Sequence, residues 1–362
     1  MIIAPWNRNP PPSPLLRRSA IALLAALAAC SGGRQEASAG PGGTATPIYV
    51  SDERGNQVLV IDPATGGITR TIAAGIRPRG IRLSPDGNTL YVAVSGSPIG
   101  GPGVDESTLP PADHGKDGIA VINRQSGVVQ RILNAGTDPE TFTLTPDGRT
   151  LAVSNEDASL VSLVDVSGVR PTRAIKVEDE PEGIAITPDG KRLFVACEGT
   201  DMVLAFDLGT FRQVASIAIP GRPRTLLASA DGKAIYVAVE TGGKLAVIDA
   251  AAMALTRQID LAGGDARVRP MGLVEAPGGR TVFVSTGRAG TVLEVDPARG
   301  AIRRTIADVG ARPWGIALSA DGKTLITANG PSGDISLIDR DTGKVRAREK
   351  AGVGPWGIAL AG

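Results

Sequence analysis

The chain has 362 residues and a formal net charge of +1, from 38 Lys+Arg against 37 Asp+Glu, with one His and two Cys. Near-neutral charge gives no electrostatic reason to expect a nucleic-acid partner. A body of this size can bury about 75% of its unfolded surface without disulfide staples.

At the start, Arg17 and Arg18 precede an apolar run, "SAIALLAALAA" (Ser19 to Ala29), that ends at Cys30. The run suits the apolar region of a signal peptide and is too short to span a bilayer, which needs roughly 20 residues. The four residues "LAAC" (Leu27 to Cys30) resemble the bacterial lipoprotein box. That resemblance implies cleavage before Cys30, lipidation of Cys30, and an acyl anchor as the sole membrane attachment. The expected home is the bacterial cell envelope, at the outer membrane and facing the periplasm or exterior. Residues 1–29 therefore read as a signal peptide. Residues 30–46, including "SGGRQEASAGPGGTAT", read as a flexible tether. Removing residues 1–29 takes away Arg8, Arg17 and Arg18 and no acid, so the charge becomes −2. The body then holds one further Cys, Cys197, and no internal disulfide is expected unless Cys30 is unmodified.

From residue 47 onward one phrase repeats. It is built on Pro78, Pro139, Pro181, Pro223, Pro270, Pro313 and Pro355, at intervals of 61, 42, 42, 47, 43 and 42 residues. Eight residues after each of the first six stands a turn at Asp86, Asp147, Asp189, Asp231, Gly278 or Asp321. An apolar strand follows ("TLYVAV", "RLFVACE", "TVFVST"), then a strand ending in an acid or amide at Asp62, Asn123, Asp165, Asp207, Asp249, Asp296 and Asp339. A further short strand leads to the next Pro. Four short strands per unit of about 42 residues, with turn chemistry at fixed offsets, is the pattern of a β-propeller blade. The final "PWGIAL" starts the phrase once more and stops. It supplies the inner strand of a blade whose other three strands are "PIYVSD", "VLVID" and "GITRTI". The expectation is an all-β, seven-bladed propeller over 47–362, monomeric, with four-stranded blades, closed by pairing the C-terminal strand with the N-terminal ones.

The repeats around "TLYVAV … VLVIDPATGGITRTIAAGIRPRGIRLSPDGNTLYV" resemble the bacterial YVTN-type β-propeller repeat over essentially all of 47–362. The resemblance implies an exported propeller, in most members without a known catalytic activity. The wording near "DPETFTLTPDG", "NED" and "RPWGIALS" is similar to a branch associated with pyrroloquinoline-quinone-dependent periplasmic oxidation.

Strand counting places two departures from the period on one face. They are 19 extra residues within Ser95 to Gly118 on blade 2 and about five within Leu261 to Arg269 on blade 5. The residues flanking each Pro ring the same face. Asp138, Glu140, Glu180 and Glu182 are read there on blades 2 and 3, beside Arg77, Arg79, Arg222, Arg224, Arg269 and Arg312. Trp314 and Trp356 fill the remaining arc. A charged, aromatic-edged mouth, with His114 in the blade-2 insertion, is a candidate site for an envelope protein or small ligand. The competing reading has these Arg and Glu pairing between adjacent blades simply to hold the ring.

Other chemistry is largely excluded. A single His rules out paired imidazole ligands, and zinc, phosphate-loop and dinucleotide fingerprints are absent. Cys197 in "FVACE" reads as a small core residue. No cofactor is expected. The reading is a lipid-anchored, non-catalytic binding scaffold. The alternative is a calcium-dependent lactonase-like hydrolase with oxygen ligands from Glu53, Asn155, Glu156, Glu198 and Glu240.

Overall fold

The computed structural model describes residues 46–100, 105–170 and 172–360, so the leader, Cys30 and nearly all of the expected tether lie outside the described residues. Within them, 28 strands form seven four-stranded antiparallel sheets. Each sheet takes consecutive strands in chain order, apart from the closing one. The second strand of every blade is buried and mostly apolar, because its sheet is covered on both faces by neighbouring blades. In Thr89–Val94 every residue after Thr89 is buried, and Arg192–Cys197 follows the same pattern. The outermost strands face solvent instead, as the alternating "VRAREK" of Val345–Lys350 shows. The core is accordingly divided among the inter-blade layers, such as the one joining Phe194 and Val203 to Val237 and Ile248.

The closing blade, numbered 1, is ordered Pro355–Leu360, Ile48–Asp52, Gln57–Ile61, Ile68–Ile72. Ile48 pairs with Leu360 and Val50 with Ile358. The Asp52 carboxylate accepts from the backbone N–H of Val353 (3.0 Å) and Gly354 (2.7 Å), locking the seam where the chain's two ends meet. The truncated last phrase is the missing inner strand.

At one end of the ring lie the Asp-Gly turns. At Asp147 the carboxylate accepts from Thr145 Oγ1 and the Arg149 N–H, and Gly148 takes the left-handed φ of +69° that suits glycine. The acid or amide closing each third strand caps the following turn through a backbone N–H in all seven blades: Asp62, Asn123, Asp165, Asp207, Asp249, Asp296 and Asp339. At the other end, hydroxyls tie neighbouring inner strands together. Ser51 donates to the Arg79 carbonyl (2.6 Å), Ser154 to that of Glu182 (2.8 Å) and Ser285 to that of Trp314 (2.8 Å). Inner strands also press close: a Cβ on Gly183 would stand 1.7 Å from the Arg224 carbonyl oxygen, so only glycine fits there.

Candidate functional site

The loops between second and third strands, and the segments leading into each inner strand, share the end of the ring opposite the Asp-Gly turns. The blade-2 insertion folds back on itself with two short 3₁₀ turns, Glu106–Thr108 and His114–Lys116. Its return is anchored by the buried Asp117, whose carboxylate accepts from the N–H of Gly96 (2.7 Å) and of Asp138 on the next blade (2.9 Å). His114 lies 2.7 Å from Asp117 through Nδ1 and is half exposed. The hydrogen bond to Asp117 raises its pKa. The blade-5 extension is held by Asp260 and Asp265, which accept backbone N–H groups of Ala262 and Arg267.

Counted from the closing blade, Asp138 and Glu140 stand on blade 3, and Glu180 and Glu182 on blade 4, one blade further round than the repeat count placed them. Five of the residues before the prolines have left-handed backbone: Arg77, Asp138, Glu180, Arg222 and Arg312, at φ between 42° and 65°. Such angles are uncommon outside glycine and persist where the surroundings over-determine them. Here the inner strand that follows each one is fixed by its neighbours.

Much of the predicted ring is internally paired. Arg79, only 1% exposed, donates from Nη2 to Asp138 Oδ1 at 2.6 Å and to the Pro139 carbonyl at 3.0 Å. Its Nη1 lies 3.2 Å from Glu140 Oε2 and 3.6 Å from Glu156 Oε2. Arg224 donates to Glu182 Oε1 (2.7 Å) and Glu240 Oε2 (3.0 Å), and approaches Glu198 at 3.7 Å. Arg77 pairs with Glu53 (2.9 Å), Arg222 with Glu198, and Arg269 with Glu240 (3.4 Å). Arg79, Glu140, Glu182 and Arg224 are therefore buried bridges between blades.

Two carboxyl pairs stand out electrostatically. Glu140 and Glu156 share one guanidinium nitrogen. The charge of Glu140, then burial, pushes Glu156 up to about 10. Burial would raise Glu140 as well, but Arg79 and a hydrogen bond from Glu156 hold it down at about 2. At neutral pH this pair carries one negative charge and one proton. Glu182 is likewise held well above the usual range, by burial first and then by Glu140 and Glu198, against the pull of Arg224.

Among the described residues, the ring arginine Arg312 makes no ion pair. The Arg312 guanidinium lies 4.8 Å from the centre of the Trp314 ring, with Arg224 at 5.2 Å. Trp356 sits beside it, ring centres 6.0 Å apart at 32°. Burial depresses the Arg312 pKa; Glu240 opposes that, and Arg288, Arg224 and Arg269 add to it. These groups line a cavity of about 270 Å³ together with Arg54, Arg79, Glu140 and Glu156. A second cavity, of about 650 Å³, lies under the blade-2 loop against Ser97, Asp157, Asp179 and Glu180. His114 and the blade-5 extension line neither.

The proposed calcium ligands are scattered over blades 1, 3, 4 and 5. Asn155 is buried, donating to the Ala135 carbonyl and accepting from Ser162. Glu53, Glu198 and Glu240 are each engaged by arginine. Among the described residues no three His, Cys, Asp or Glu side chains converge on a common metal position, and this donor set does not fit a calcium ion. Cys197 is buried, and burial pushes its thiol up to about 12, as suits a core residue.

Sequence reasoning missed Asp117, Arg54 and Asp157, which the insertion and the second-strand ends bring to the mouth. It also missed the bridging Ser51, Ser154 and Ser285. These had a signal: they share one register with Ala93, Ala196, Ala238 and Ala328, a column of small residues one position before each second strand's end or beside it.

Comparison with known proteins agrees with the architecture. A family profile described as a YNCE-like beta-propeller matches residues 107–277. Antigen Lp49 of Leptospira interrogans is 29% identical over 119 residues, spanning 32% of this chain and 24% of that protein. Among solved structures, the periplasmic gluconolactonase PpgL of Pseudomonas aeruginosa superposes with a TM-score of 0.71 at 21% identity, covering 88% of this chain and 99% of that one. A putative 6-phosphogluconolactonase from Bacteroides uniformis gives 0.70 at 17% identity, covering 88% and 100%. Hydrazine synthase of Kuenenia stuttgartiensis gives 0.63 at 22%, covering 78% and 89%. At these identities the likeness is one of fold.

Proposed function

We propose that this chain is a lipid-anchored envelope propeller that captures a small anionic ligand at its charged mouth. The observation that carries the reading is Arg312. It is a ring cation that lies on an aromatic plate with no ion-pair partner among the described residues, and it faces a cavity. An anion there supplies the counter-charge that Arg312 lacks and meets a guanidinium fork, with Trp314 and Trp356 as apolar walls. The remaining Arg and Glu hold the blades so that this arc is rigid before anything binds. The anchor rests on the leader and Cys30: Cys30→Ser is expected to move the protein from the membrane to the soluble fraction, or leave it unprocessed.

Isothermal titration with gluconate, and with glucose as the uncharged control, tests the mouth. Gluconate binding that disappears in Arg312→Gln supports the reading. Equal binding of the two sugars, or binding that survives the substitution, refutes it.

A second reading has one specific observation behind it. The Glu140–Glu156 pair offers a proton donor and a proton acceptor beside the same cavity, and two of the fold neighbours are described as lactonases. Hydrolysis of a sugar lactone by general acid–base chemistry is the activity that such a pair could serve. Gluconolactone turnover above the spontaneous rate, lost in Glu140→Gln, favours it.

A further inference from the structure

We propose that the central channel, at its Asp-Gly end, binds an alkyl carboxylate, with the carboxylate on Arg82 and the alkyl chain on the aliphatic wall around it. This site shares no lining residue with the two cavities at the mouth and owes nothing to the anion-binding reading.

Arg82 is an exception within its own repeat. It is the middle residue of the inner strand Ile81–Leu83, exposed where Ile81 before it is buried. In the other six blades the same register holds Thr143, Ala185, Leu227, Val274, Ala317 and Ala359, none of them charged. Strand pairing shows where its side chain goes. On the inner strand of blade 3, Phe142 stands opposite Val153, and three residues on Thr145 donates its N–H to the Thr150 carbonyl. Hydrogen-bonded pairs alternate along an antiparallel ladder, so Phe142 and Val153 are a non-bonded pair. The Phe142 carbonyl is thereby turned away from the second strand, toward the channel. Arg82 Nε donates to that carbonyl at 2.8 Å, which holds the guanidinium on the channel side of the inner strands. There Arg82 lines a cavity of about 610 Å³, together with the blade-2 turn from Ser84 to Gly87.

Charge and wall together define the ligand. Among the described residues Arg82 makes no ion pair, and its Nε is the one guanidinium nitrogen hydrogen-bonded to another residue. Burial lowers its pKa and no acid offsets the effect, yet an arginine remains charged at neutral pH. The acid on this wall, Asp86, is already engaged by the Ser84 hydroxyl and by the backbone and side-chain N–H groups of Asn88. The terminal nitrogens of Arg82 are left as a fork of the kind that a carboxylate meets with two parallel hydrogen bonds. Leu83, Leu227, Val274, Leu318, Ile358 and Leu360, from five blades, supply the aliphatic wall. A small hydrated anion would answer the charge and leave that wall wet. An alkyl chain laid on it adds about four-fold in affinity for each CH₂ buried. A neutral alcohol gains the wall without the charge, and a carboxylate with a tail gains both.

The test uses the full chain carrying Cys30→Ser, without detergent, so that no other amphiphile competes for the cavity. Octanoate, octanol and butyrate are titrated calorimetrically. Octanoate is expected to bind at least ten-fold more tightly than either of the others. Arg82→Met should bring octanoate down to the level of octanol and leave octanol unchanged. Leu318→Glu, which sets an acid on the same wall, should also weaken octanoate at least ten-fold, and it keeps the site testable if Arg82→Met does not fold. Saturating gluconate should leave octanoate binding unchanged. Octanol or butyrate binding as tightly as octanoate overturns the proposal, and so does either variant that binds octanoate like the parent. Competition between gluconate and octanoate would put both ligands in one site and overturn it as well.

Discussion

Glu156→Gln isolates the proton that the mouth is built to hold. A carboxyl whose folded pKa lies near 10, against an ordinary value near 4.3, binds a proton in the folded state that the unfolded chain has released. Its stabilisation is complete below about pH 4 and is lost as pH rises toward 10. Between those limits stability falls by about 1.4 kcal/mol per pH unit for each such proton. Glu140 runs the other way. Its pKa is lowered to about 2, so its contribution is present above about pH 4 and lost only as pH falls toward 2, which leaves the neutral range flat. Replacing Glu156 by Gln keeps a neutral donor of the same shape and removes the titration. Urea unfolding at pH 6, 7 and 8 should therefore give a plot of ΔG against pH shallower than the parent's by about 1.4 kcal/mol per unit. Across those two units the variant gains about 3 kcal/mol relative to the parent. Glu182, raised for its own reasons, contributes the same slope to both proteins. Parallel plots would mean that Glu156 is ionised when folded, and the shared-proton account of the pair would be wrong. Glu140→Gln provides the cross-check, because without the Glu140 charge Glu156 should ionise and the slope should flatten there as well.

The buried arginines give a second outcome: Arg79→Met takes from Glu140 its ion-pair partner and from Asp138 the nearer of two, Arg77 remaining at 3.5 Å, and should destabilise by about 3–5 kcal/mol. For a body of this size that is about 5–8 °C in melting temperature by calorimetry, and a shift under 2 °C would show the bridge to be idle. Deleting residues 355–362 removes the strand paired with Ile48–Asp52 and exposes two sheet edges, so the truncated protein should melt earlier and aggregate. Unchanged melting would refute the closure. Replacing Pro98 to Lys116 with a short Gly-Ser bridge keeps Asp117 and its bonds to Gly96 and Asp138, so melting should move by no more than about 2 °C, since loop-closure entropy varies slowly with length. The same deletion removes Ile99 and Gly100 from the wall of the 270 Å³ cavity and should weaken gluconate binding, and collapse of the fold instead would make the loop structural.

The fold was legible because its determinants are local and recur. An Asp-Gly turn, an apolar run with its period, and a terminal Asp that caps the next turn each act within a few residues of themselves. Repetition of that set leaves one architecture that can bury every run on both faces. Even the missing strand could be read, since an incomplete phrase at one end matched an incomplete blade at the other. The site was legible only as a ring of residue types. Register says that Arg222 and Arg312 occupy equivalent positions before a proline, and nothing in that position separates them. What separates them is the neighbour reached across the blade boundary. Arg222 meets Glu198 from the preceding blade and approaches Glu240 of its own at 3.9 Å. Arg312 follows a blade with no carboxylate at either position, so it lies down on its own Trp314. The difference is carried by residues about 25 positions away, at Glu198 and at Gly287, the latter standing where an acid would have paired it. Pairing across blades can thus be read by comparing each repeat with the one before it, whereas comparison of each repeat with the consensus hides it. On that comparison blade 7 is the one whose arginine inherits no partner, and it is there that the cavity, the indole faces and the unbalanced charge coincide.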